Sequence, residues 1–315
     1  MVYLKAIGSG LALILLLVPL VRRWALRLGY VDRPGGRKIH KAPIPLMGGL
    51  AIYAACVIPL IGYNGWTAQT GAIVTGGTLL LAVGLLDDGF KAKGRDFPVW
   101  PRLVVYLITS AVPLGYGIMI AGVRLPGTGI LLDFPVWLAW AATMLWVFAL
   151  TNMINFIDGI DGLASGIVTI SSATLLVVSA WKHQMEPGLL AAILVGVCIG
   201  FLGYNFHPAK IFMGDAGAVF LGYTLAVVAV NGAFKSATVI SIFVPVLALS
   251  VPIMDTGFVL LRRLLRGTGI HRADKLHTHH TLMSWGLTQP QTVSFLYLIA
   301  ISFSLLSVIL LLLFS

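Results

Sequence analysis

The sequence predicts an all-α protein that crosses a membrane many times, a polytopic helical bundle of about ten transmembrane helices. Three observations lead there. Of 315 residues, 58% are hydrophobic and only 10% are charged. Apolar runs of the roughly 20 residues that a helix needs to cross a bilayer recur from end to end. The few charged and imidazole side chains gather in the connections between alternate runs. None of these connections is long enough for a soluble domain, so residues 1–315 are read as a single integral membrane domain.

The first span covers 3–20. It has no basic leader and no clear small-residue cleavage site before Arg22 and Arg23, so it is read as a membrane helix rather than a signal peptide. Spans two to four cover 47–63, 70–86 and 103–121. Pro-Gly and Gly then divide 122–134 (GVRLPGTGILLDF) into two brief apolar stretches, the pattern of a short hairpin. Spans five to eight cover 135–151, 162–181, 188–204 and 216–231, and the last two cover 238–261 and 292–314. Cys56 and Cys198 fall inside spans as small apolar residues, with no CxxC or disulfide signature. The chain has no internal repeat and no low-complexity tract.

Charge orients the bundle. Residues 22–46 hold seven Lys and Arg, 87–102 hold four, 205–215 hold Lys210 and 262–290 hold five, so 17 of the 21 share one face. Lys5, Arg124, Lys182 and Lys235 occupy the other. By the positive-inside rule the first face is cytoplasmic and both termini lie outside. Much of this belt needs no role beyond fixing topology against the inner leaflet. The lipid bilayer is the partner such a charge pattern implies, and no nucleic acid is expected.

After Asp32, seven of the eleven acidic residues lie in these same loops, together with six of the seven histidines. Carboxylates at the ends of apolar helices are costly near lipid and read as a site for a charged substrate. LLDDGF places Asp87 and Asp88 at the end of the third span. Their mutual repulsion calls for a cation or a basic neighbour, and they oppose the helix dipole there. In TNMINFIDGIDGLASG, residues 151–166, Asn152, Asn155, Asp158 and Asp161 recur every third position. Gly159 and Gly162 break the helix, and hard oxygen ligands at this density suit magnesium or a nucleotide. An Asx-turn network is the alternative for the asparagines.

In NFHPAKIFMGDAGAVFLGY, residues 205–223, Asp215 stands between Gly214 and Gly217 just before a helix, where backbone donors can face an anion. Phe212 can stack on a planar base or serve as an interface aromatic. The loop RRLLRGTGIHRADKLHTHH, residues 262–280, offers Arg262, Arg263, Arg266, Asp274, Lys275, His277, His279 and His280. These are donors for phosphate oxygens, and zinc is disfavoured because no Cys lies nearby. A solvated basic loop is the bland reading. The earlier loop DRPGGRKIHKAPIPLMGG carries Arg37, Lys38, His40 and Lys41 before a rigid Pro-x-Pro. It is either an anion clamp or a simple positive-inside segment.

Taken together and in this order, Asp87-Asp88, NMINFIDGIDG, FMGDAG and HTHH resemble the polyprenyl-phosphate N-acetylhexosamine-1-phosphate transferases of glycosyltransferase family 4. The resemblance spans 32–290 and is closer to the WecA/TagO-type branch than to the phospho-N-acetylmuramoyl-pentapeptide transferases, where three consecutive histidines precede a Glu. Here Thr278 interrupts the histidine run and Thr281 follows it. Ala218 stands where the family commonly has Ser.

The resemblance implies an enzyme of the bacterial inner membrane with its active-site loops in the cytoplasm. It would pass N-acetylhexosamine 1-phosphate, with GlcNAc favoured, from a UDP-amino sugar to undecaprenyl phosphate and release UMP. Its cofactor would be Mg2+, with Mn2+ as a substitute, and homodimer formation is left open. The implied catalytic set is Asp87, Asp88, Asp158, His279 and His280. Asp215 and Asp88 are the implied metal ligands. Lys41, Asn155, Asp161, Phe212, Arg262, Arg263, Asp274 and His277 are the implied substrate-binding set, with Asp161 and Phe212 matching uracil-pocket residues. The cross-class rival is a secondary transporter built around intramembrane Asp255, but such a protein needs a midplane site and usually internal repeats.

Overall fold

The computed structural model describes residues 1–33, 43–124, 131–232, 239–266 and 277–314. Twelve helices make up almost all of it. They are α1 (Val2–Leu28), α2 (Gly48–Asn64), α3 (Ala68–Ala92), α4 (Val99–Gly115), α5 (Val136–Ile157), α6 (Leu163–Trp181), α7 (Met185–Asn205), α8 (Gly214–Asn231), α9 (Val239–Ala248), α10 (Ser250–Arg266), α11 (Thr278–Ser284) and α12 (Gln289–Phe314). Seven of these are long and apolar enough to cross a bilayer, and α2 and α4 are shorter apolar helices. The chain is an all-α, multi-pass membrane protein.

The bundle is built around α8. In its most apolar stretch 89% of residues are buried, against 28% for α1 and for α12, which present their sides to lipid. Helices α2, α3 and α5 pack on α8, while α7 joins α1 to α6. Close approach of α3 to α8 depends on Gly84, where a methyl group would collide with the backbone of Ala216. That contact brings the polar end of α3 against the first turn of α8. With no hydrophobic drive between helices in lipid, packing of this kind carries the association.

The hairpin expected at 122–134 is present as β3 (Gly122–Arg124) paired antiparallel with β4 (Leu131–Asp133). A second pair, β1 (Val31–Asp32) with β2 (Ile44–Pro45), was not foreseen, because both strands lie in a stretch that reads as a basic loop.

The largest departure concerns the ninth span. The sequence reads as one helix over 238–261, whereas the chain forms α9 and α10 with a break at Leu249. Pro252 has no N–H, so the carbonyl four residues earlier, on Ala248, loses its helical donor. Ser171 of α6 supplies one, its Oγ donating to Ala248 O at 2.6 Å. Helix α3 also runs nearly two turns past its expected end, and α1 continues through Arg22 and Arg23.

Candidate active site

Four segments meet at one end of the bundle, where the last turns of α3 face the start of α8, the α5–α6 connection and the short helix α11. Gly214 makes the junction possible. Its φ of 68° lies in the left-handed region, and a methyl group there would strike the carboxylate of Asp88. Asp88, fully buried, accepts the backbone N–H of Asp215 at 3.0 Å and of Ala216 at 3.3 Å, one on each oxygen. The backbone donors that the sequence offered to an anion at the start of α8 are therefore engaged by Asp88. This carboxylate caps the helix and neutralises its positive end.

Asp87 points elsewhere. It is 2% exposed and accepts from Arg102 of α4 at 3.0 Å, with Lys91 at 3.6 Å. Both cations also reach Asp215, Lys91 at 2.6 Å and Arg102 at 3.6 Å. Two carboxylates and two cations thus form one compact cluster. Sequence reasoning missed both cations as site residues. Lys91 was legible four residues after Asp87 on the same helix face. Arg102, from another helix, had no local signal.

Beside this cluster lies a cavity of about 1240 Å³, walled by Asp88, Lys91, Asp158, Asp161, Asp215 and His280, with Phe212 and Lys210 on another side. It exceeds the 300–1,000 Å³ typical of pockets for drug-sized ligands. Its rim includes Arg22 and Leu26 of the lipid-facing helix α1. Asp158 closes α5, and its N–H bonds back to Asn155 O at 3.3 Å. Burial, then the nearby charges of Asp215 and Asp88, hold its carboxyl well above the usual carboxylate range.

Asp161 accepts from Ala209 N at 3.0 Å and pairs with His207 Nδ1 at 3.0 Å, tying the α5–α6 connection to the α7–α8 connection. Asn205, another residue without a sequence signal, fastens the same two loops. Its Oδ1 accepts from Gly162 N and Ser165 Oγ, and its Nδ2 donates to Ile211 O.

The histidine motif folds over the α5–α6 connection. His279 is 2% exposed, and its ring nitrogen Nε2 lies against Gly159. Burial and the neighbouring His280 push its imidazole down from 6.5 to about 4. His277 lies parallel to His279, with ring centroids 5.7 Å apart, and His279 meets His280 at 4.4 Å.

Six of the site residues read from the sequence, Asp88, Asp158, Asp161, Phe212, Asp215 and His280, therefore share one cavity. Asp87 and His279 are buried behind it. Asn155, Arg262, Arg263 and His277 do not line it. Arg262 instead covers the ring of Phe258 on its own helix, 4.1 Å from the centroid. Lys41 and Asp274 lie outside the described residues.

The sequence profile of the family described as Glycosyl transferase family 4 matches residues 70–233. A probable undecaprenyl-phosphate N-acetylglucosaminyl 1-phosphate transferase of Bacillus subtilis is 38% identical, over 96% of this chain and 83% of its own length. A decaprenyl-phosphate N-acetylglucosaminephosphotransferase of Mycolicibacterium smegmatis is 32% identical over 88% of this chain and 74% of its own. A phospho-N-acetylmuramoyl-pentapeptide-transferase of Heliobacterium modesticaldum is 33% identical over 90% of both.

Proposed function

This chain belongs to glycosyl transferase family 4, and from that premise we propose that it transfers N-acetylglucosamine 1-phosphate from its UDP-sugar to undecaprenyl phosphate, releasing UMP. The observation that carries this reading is the shared cavity, where Asp88, Lys91, Asp158, Asp161, Asp215 and His280 stand beside the rim formed by α1. A water-soluble nucleotide sugar and a lipid phosphate can both reach such a place. The polar face is taken as cytoplasmic from the asymmetry of Lys and Arg, and the membrane as the bacterial inner membrane.

In the reaction an oxygen of the lipid phosphate attacks the sugar-bearing phosphorus. The bond from that phosphorus to the UMP oxygen breaks, and its electron pair leaves with UMP. One phosphoanhydride replaces another, so the exchange runs in either direction. Several negative charges must approach one another, so fixed cations are the main requirement. Lys91 holds an ammonium at the cavity wall, and Arg22 and Lys210 add positive charge around it. Arg102 donates to the buried Asp87 and orients it behind Lys91. A phosphate monoester, with a second pKa of about 6, is already largely ionised at neutral pH, so no residue need act as a dedicated base.

Magnesium suits this donor set. It binds through one or two carboxylates plus substrate phosphates rather than in an all-protein cage. Among the described residues no three ligand side chains converge, while Asp158 and Asp215 share the cavity wall as hard oxygen donors. Asp88 is less suited, since its oxygens serve α8. Bound there, magnesium would offset diphosphate charge. Burial, and then the charges of Asp215 and Asp88, raise the Asp158 carboxyl, and a cation bound there would offset that penalty.

The test uses detergent-purified protein with labelled UDP-GlcNAc, undecaprenyl phosphate and magnesium. A labelled lipid formed together with UMP is expected. Release of sugar phosphate to water without lipid product would overturn the reading. Preferential use of UDP-N-acetylmuramoyl-pentapeptide would move the chain to the other branch.

A further inference from the structure

Asp255 sits in the sixth position of α10 and is 4% exposed. The sequence suggested an intramembrane carboxylate, but both of its oxygens are directed at the histidine motif. Oδ2 meets His277 Nδ1 at 2.7 Å, and Oδ1 accepts the backbone N–H of Thr278 at 2.6 Å. We propose that Asp255 is a positioning residue for the transferase reaction, clamping the start of α11 and fixing the tautomer of His277 so that His279 and His280 are held in register against the cavity.

Three features support it. An ionised carboxylate only accepts, so the proton of a neutral His277 must sit on Nδ1, leaving Nε2 with its lone pair. The clamp is two-pronged, gripping one side chain and the adjacent backbone, which restrains the rotation as well as the position of α11. The rings form a continuous row. Phe156 of α5 lies 6.0 Å from His277, His277 stacks on His279 with an interplanar angle of 11°, and His279 contacts His280 at the cavity wall. A shift at His277 is therefore passed along the row to His280, which lines the same cavity as Asp158 and Asp215. Asp255 itself does not line the cavity, so its effect must run through the histidines.

The inference rests on the transferase reading, and the experiment separates the two. Asp255→Asn is nearly isosteric, but its amide N–H can meet His277 Nδ1 only when that ring carries its proton on Nε2, so the variant either reverses the tautomer or loses a hydrogen bond. Its kcat is expected to fall about 10²-fold, the scale for mispositioning an electrostatic or acid-base group, with KM for the UDP-sugar changed less than about threefold. Asp255→Glu should recover turnover to within about tenfold. Combined with His277→Ala, Asp255→Asn should add little, because the two act as one unit.

Amide exchange of the segment 277–286 tests the clamp without turnover. It should quicken in Asp255→Ala, which removes both acceptors, and remain slow in Asp255→Glu. Wild-type kcat in Asp255→Asn, wild-type exchange in Asp255→Ala, or multiplicative losses in the double variant, would overturn the assignment. An inactive wild type would instead sink the transferase reading, leaving the exchange measurement to decide the clamp.

Discussion

Mild acid should loosen the histidine helix, and the size of the effect follows from the packing of His279. Its imidazole is 2% exposed, and among the described residues its Nε2 has no hydrogen-bond partner to reward a proton. Burial and the adjacent His280 lower it from 6.5 to about 4. When α11 detaches, the ring regains an ordinary affinity and binds a proton near pH 6.5. The detached state therefore holds more protons between these values, and the packed state loses stability as pH falls through that window. Above the upper value both states are neutral and the group contributes nothing.

The full gap corresponds to about 3 kcal/mol, and by pH 5.5 about 1.4 kcal/mol of it is spent, roughly a tenfold change in the packing equilibrium. The assay compares thermal denaturation of wild type and His279→Gln in detergent from pH 8 to pH 5. Carboxylates titrate alike in both proteins, so the difference between the curves isolates the imidazole. Wild type should lose about 1.4 kcal/mol more than the variant by pH 5.5. Parallel curves would refute the reasoning.

Other perturbations probe the remaining parts. Asp215→Asn should lower transfer at least about 10²-fold without loss of folding, and normal turnover at limiting magnesium would remove Asp215 from the metal site. Arg102→Met should destabilise the protein by about 2 kcal/mol in detergent denaturation. Breaking a buried pair costs about 3–5 kcal/mol, and this figure is discounted because Arg102 is about a third exposed and Lys91 still faces Asp87; an unchanged midpoint would show that Lys91 suffices. Single cysteines at Gly65 and Lys182 should react with an impermeant thiol reagent outside intact cells, whereas one at Lys93 should not. The reverse pattern would invert the topology.

Much of this was legible in the chain because two signals are strong in membrane proteins. Apolar length located nearly every helix, and the cost of charge near lipid pointed to the polar end where the cavity lies. The errors have physical causes. Pro252 reads as an ordinary residue within an apolar run, and the break it makes depends on a serine 81 residues earlier, Ser171, completing the freed carbonyl. Asp88 keeps its place at the cavity, and its contact with the start of α8 had no local signal. Arg102 looked like one more positive-inside charge, although its partner is a buried aspartate on another helix. The partners of Asp255 had no local signal either, since the loop that returns to it lies more than twenty positions away.

The broken helix sets a height as well as a fold. His277 and Thr278 pin Asp255 to the polar end of the bundle, so the apolar crossing on this flank ends near that residue. The described residues of this crossing, 239–255, amount to about 25 Å of helix at 1.5 Å per residue. The rest of α10, about 16 Å of helix, continues beyond that point with Leu260, Leu261 and Leu265 exposed beside Arg262, so apolar and cationic groups stand together where headgroups meet the protein.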